Sequence, residues 1–70
     1  MTLAEHIAAA KKTAAEFRAY EREMRAAGDL RTAERAATSA RIAERQARVM
    51  AKAAREETLH ERAVAIFGNC

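Results

Sequence analysis

From the N-terminus, apolar residues recur at Leu3, Ile7, Ala10, Ala14 and Phe17, and again at Met24 after one interruption by Glu21. Alternating steps of four and three keep these positions on one side of an α-helix and form a heptad seam. Tyr20 lies beside that seam and widens it. A second run of the same period follows at Ala33, Ala36, Ala40, Ala43, Ala47, Met50 and Ala54, with Ile42, Val49 and Ala53 expected to broaden it on one side. Its alanines would let a partner helix approach closely, because almost nothing protrudes. The stretch Ala26-Ala27-Gly28-Asp29-Leu30 separates the two runs, and Gly28 is the only Gly or Pro before Gly68. Gly28 can take the left-handed conformation that closes a helix, and Asp29 can accept hydrogen bonds from the free N–H groups of the next. The pattern predicts an all-α chain: one domain, 1–70, folded as an antiparallel helical hairpin of about 2–27 and 30–56.

Thr2-Leu3-Ala4-Glu5 has the spacing of a capping box and sets the first helix start. After Arg55 the apolar side moves by about half a turn. On a straight helix Leu59 and Ile66 would fall on the charged face, and Glu57 and Glu61 on the alanine face. Thr58-Leu59-His60-Glu61 repeats the capping-box spacing, which predicts a break near 56–58 and a helical tail over about 59–67 ended by Gly68-Asn69. The absence of Gly and Pro there, and the helix-compatible run Arg55-Glu56-Glu57-Thr58-Leu59, argue for continuity instead.

Half of the chain is apolar, but most of those residues are alanines, with only a methyl group to bury. A single copy encloses a thin core, so a second copy is expected to complete it as a four-helix-bundle-like homodimer. Leu3, Ile7, Ala40, Ala43, Ala47 and Met50 are the expected core and dimer seam.

Two features carry candidate chemistry. Glu21 places a carboxylate in the seam, where it is costly unless paired. Arg35, from the same or a second copy, is the expected partner; alternatively Glu21 joins Phe17, Tyr20 and Met24 in a surface that receives another protein. Arg41, Arg45, Arg48, Lys52 and Arg55 recur at the same steps on the far side of the second helix. They fall within an arc of about 80° along about 21 Å, a continuous basic stripe. The stripe is open to three readings: a solvated face with pairs such as Arg41 with Glu44 or Glu44 with Arg48, a phosphate-binding row, or an electrostatic rim for an acidic protein surface. The net charge is only +3 and no aromatic residue is interleaved, which weighs against nucleic acid.

Catalysis has little to work with. His6 and His60 stand far apart in sequence without ligand-spaced partners, the hydroxyls lack a nearby His, and no Gly-rich loop is present. We therefore expect no catalytic residue, metal, cofactor or small-molecule substrate. The lone Cys70 excludes an internal disulfide and suits a reducing compartment. Neither a signal region nor an apolar run of about 18 residues occurs, so a cytoplasmic protein without membrane contact is expected.

A heptad-seamed hairpin with a tight turn and a tail, ending in Ala65-Ile66-Phe67-Gly68-Asn69, resembles the Rop family of plasmid copy-number regulators. The resemblance implies an antiparallel dimer. It does not extend to that family's RNA-binding row, since Thr13 and Glu21 around Phe17 do not reproduce it. The Ala/Arg-rich style also looks like small phage proteins that bind and inhibit host regulators or ATPases. The first expectation is thus a non-enzymatic protein-binding module; the alternatives are a nucleic-acid-binding regulator using the basic stripe and a self-associating assembly protein.

Overall fold

A computed structural model describes residues 1–67; the stop expected at Gly68-Asn69 and the thiol of Cys70 lie outside them. Two helices, α1 (Leu3–Ala26) and α2 (Leu30–Phe67), lie side by side as an antiparallel hairpin. Its extents are 64 × 18 × 13 Å.

Local chemistry defines the ends. The Thr2 N–H donates to Glu5 Oε1 and the Glu5 N–H to Thr2 Oγ1, both at 3.1 Å, so the capping box is complete. At the turn the Asp29 N–H donates to the Met24 carbonyl at 2.8 Å and the Gly28 N–H to that of Arg25 at 3.1 Å. These two bonds make a Schellman closure, which needs a left-handed residue, and Gly28 supplies it with φ 80°. Asp29 then opens α2: its Oδ1 accepts from the Thr32 N–H at 3.1 Å and its Oδ2 from the Thr32 hydroxyl at 2.7 Å. The hydroxyl bond, then the backbone bond, hold the Asp29 carboxyl below its ordinary pKa.

The core is a stripe of methyl groups. Ala14 of α1 and Ala33, Ala36, Ala37, Ala40, Ala43 and Ala47 of α2 are buried, with Ala33 and Ala40 at 0 % exposure. Among the described residues no larger side chain is fully buried. Ile7, Ala10, Phe17, Met24, Met50 and Ala54 are half-buried, while Leu3 is exposed at the open end. Ile42 and Val49 do not widen the seam: they are 56 % and 60 % exposed. The two backbones meet on a seam too narrow to draw these flanking side chains in.

The break expected near 56–58 does not occur. Thr58 turns its hydroxyl back to the Ala54 carbonyl, 3.0 Å away, and stays inside α2 instead of capping a new helix. With no Gly or Pro, and no neighbour to fold onto, the helical hydrogen bonds run on. The tail is therefore a straight continuation. Because α2 has 38 residues against 24 in α1, it extends past the hairpin by about 21 Å. Residues 55–66 are all exposed along this arm.

Candidate functional site

Two grooves run between the helices, on opposite sides of the alanine seam. The first is lined by Lys11, Ala15 and Arg18 of α1 and by Glu44, Arg48 and Ala51 of α2. Arg18 sits three residues before Glu21 and faces α2, so one guanidinium serves both helices. Its Nε and Nη2 donate to the two Glu44 oxygens at 3.1 and 2.9 Å, and its Nη1 donates to Glu21 Oε1 at 2.9 Å. Arg25 holds the other Glu21 oxygen at 2.9 Å and reaches Glu34 of α2 at 3.5 Å. The result is a chain of five charges, Glu44–Arg18–Glu21–Arg25–Glu34, that crosses between helices at both ends.

Hydrogen bonds from Arg18 and then from Arg25 hold the Glu21 carboxyl below its ordinary pKa, and that of Arg18 does the same for Glu44. The arginines move reciprocally, each raised by its bonds to these carboxylates, first to Glu44 for Arg18 and to Glu21 for Arg25. Glu21 is thus paired as a seam carboxylate requires, but with Arg18 and Arg25 of its own helix and not with Arg35. Its side chain is 13 % exposed, turned toward this network and away from Tyr20. The signal was present in the sequence as the i−3 and i+4 arginines.

The second groove carries no such network. Its lining includes His6, Thr13 and Phe17 of α1, facing Ile42, Gln46, Val49 and Met50 of α2. Tyr20, 43 % exposed, continues this side one turn beyond Phe17, and half-buried Met24 follows one turn later. The structure therefore brings Phe17, Tyr20 and Met24 to one side and adds Ile42 and Val49 from α2, which sequence reasoning had assigned to the seam.

The basic stripe is exposed along its whole length. Lys52 pairs with Glu56 at 3.9 Å, and Arg41 donates to the Thr38 hydroxyl at 3.4 Å. Glu44 is taken by Arg18, so the Arg41–Glu44 and Glu44–Arg48 pairs do not form. Among the described residues Arg41, Arg45, Arg48 and Arg55 make no ion pair. The stripe runs onto the arm, where Leu59 and Ile66 are 62 % and 69 % exposed and Arg55, Leu59 and Arg62 border a shallow hollow.

Among the described residues no three His, Cys, Asp or Glu side chains stand close enough to hold a metal, and no helix is long and apolar enough to cross a membrane. No protein-family model, curated protein or solved structure matches this chain.

Proposed function

We propose that the chain is a non-enzymatic protein-binding module that works by laying its uncovered helical faces against other protein chains. One observation carries the reading. Among the described residues only alanines are buried, while Tyr20, Ile42, Val49, Leu59, Val64 and Ile66 all stand more than two-fifths exposed. Large apolar side chains left in water at this density are accounted for by a partner that removes them from it. Phe17, Tyr20 and Met24, joined by Ile42, supply the apolar anchors, and Arg41, Arg45, Arg48, Lys52 and Arg55 the electrostatic rim. Glu21 supports the surface from behind by fixing Arg18 and Arg25.

The test is capture by the tagged chain from lysate of the source cells, with and without nuclease, beside a Tyr20→Ala variant of unchanged helicity. A stoichiometric protein retained through nuclease and lost with Tyr20→Ala supports the module, and its identity shows whether it is a host regulator or ATPase. The unpaired arginines of the stripe favour a second reading, phosphate binding along a nucleic acid. Retention of nucleic acid alone, weakened by Arg45→Glu with Arg48→Glu, would establish that reading instead.

A further inference from the structure

The Tyr20 face is bordered by opposite charges that find no partner among the described residues. On α1, Glu16 and Glu23 stand four residues before and three after Tyr20, and so share its exposed flank. On α2, Arg35 and Arg45 stand seven before and three after Ile42, on that residue's flank. All four side chains are exposed, and none makes an ion pair among the described residues.

The hairpin's own register sets their heights. Arg18 lies beside Glu44 and Arg25 beside Glu34. Counting along each helix from these anchors places Glu16 level with Arg45, Tyr20 with Ile42, and Glu23 with Arg35, each to within about one turn. Acid and base thus match in height but occupy different helices of the same face. A second copy turned over onto that face, about a two-fold axis parallel to the helices, keeps every height and lays each α1 on the other copy's α2. Every acid then meets an arginine, and Tyr20 meets Ile42. A two-fold axis across the helices would instead lay α1 on α1 and α2 on α2, acid facing acid and arginine facing arginine.

We propose that the occupant of the Tyr20 face is a second copy of this chain, in a face-to-face dimer whose two turns lie at the same end. Tyr20 of each copy packs on Ile42 of the other, between Glu16–Arg45 and Glu23–Arg35 pairs made twice by symmetry. The footprint is adequate: α1 is about 36 Å long and the hairpin 18 Å wide, so the shared face projects to about 650 Å² per copy. Side-chain relief raises the accessible area toward the about 800 Å² per partner of a stable interface. Except for Arg45, which borders the second groove, the basic stripe and the arm remain outside this contact for a further partner. The inference rests on the reading of the Tyr20 face as a docking surface and names what docks there.

Mass measurement by sedimentation equilibrium in reducing buffer tests it. The full chain should weigh twice its 7.7 kDa. Glu16→Arg with Glu23→Arg, and separately Arg35→Glu with Arg45→Glu, should each weaken the dimer about a hundredfold or more, because like charges then face each other. Mixing the two variants should restore a dimer, as should all four substitutions in one chain, a recovery that misfolding could not produce. A spin label at Ala27→Cys in a Cys70→Ser chain should report turns closer together than about 22 Å, the distance along the helices that the other arrangement, with Glu16 facing Glu23, places between them. A chain monomeric at about 100 μM, well above the range of specific dimers, would overturn the proposal. So would a dimer indifferent to the reversals, or turns at opposite ends. Retention of another protein through Tyr20 by a monomeric chain would still support the docking reading, so the two can fail separately.

Discussion

The two grooves of this hairpin are formed by the same pair of helices, yet one is closed by charge and the other is left open. Arg18 and Arg25 stand seven residues apart on one flank of α1 and pair with Glu44 and Glu34 of α2, so charge bridges that flank. On the opposite flank Thr13, Phe17, Tyr20 and Met24 face Ser39, Ile42 and Gln46, with ionic residues only at the outer edges. The difference shows how a chain with a core of methyl groups divides its labour. Ionic pairs tie the two helices of the hairpin together, while the apolar surface that a larger core would have consumed stays exposed, and it is this surface that we propose for contact with another chain.

Both grooves hang from the alanine seam, so a wedge there should disturb both and have the largest effect. Ala40 is 0 % exposed, and Ala40→Leu forces the helices apart. We expect a loss of about 1–3 kcal/mol in urea unfolding followed by circular dichroism. An unchanged midpoint would mean that the helices do not meet at Ala40.

Arg18→Met separates the grooves. It keeps most of the apolar stem but removes the bridge between Glu44 and Glu21, so the hairpin should lose stability while the Tyr20 face stays intact. These groups are partly open to water, so the loss should be modest and should shrink in about 1 M salt. The pH dependence has a definite sign. Both carboxyls titrate below their ordinary values when folded, so their contribution is present above the unfolded carboxylate range, about pH 4, and disappears as pH falls through the lowered folded values. The gap in stability between the wild-type chain and Arg18→Met should therefore close in acid. A gap that is constant from neutral pH to pH 2 would show that Arg18 acts through packing alone.

The turn and the first helix start were legible because they depend on neighbours in sequence: Thr2 with Glu5, and Gly28 and Asp29 with the residues on either side. The alanine seam was legible from its period. The pairing of Glu21 was misjudged because a seam carboxylate has reachable arginines both along its own helix and across the hairpin, and only side-chain reach decides between them. Ile42 and Val49 were misplaced for a related reason. Periodicity gives the angle of a residue around its helix but not how wide the contact is, and that width follows from how closely two alanine-lined backbones approach. At Thr58 a capping pattern competed with uninterrupted helix, and no tertiary contact was there to reward a bend.

The arm should show the smallest effect on folding. Leu59 and Ile66 lie beyond the reach of α1, and residues 55–66 are exposed throughout, so neither groove depends on them. Replacing both with Ser removes apolar surface already in contact with water in the folded chain, and the hairpin's unfolding free energy should change by less than about 0.5 kcal/mol. The self-association we propose through the Tyr20 face should be equally unaffected, because the matched charges at Glu16, Glu23, Arg35 and Arg45 all lie alongside the paired helices. Any loss in the double variant should appear only in the capture of a further partner, where Leu59 and Ile66 continue the side of α2 that carries the basic stripe. A fall in unfolding midpoint would place the arm inside the folded structure, and a fall in dimer mass would make the arm, beside the open groove, part of the proposed contact between copies.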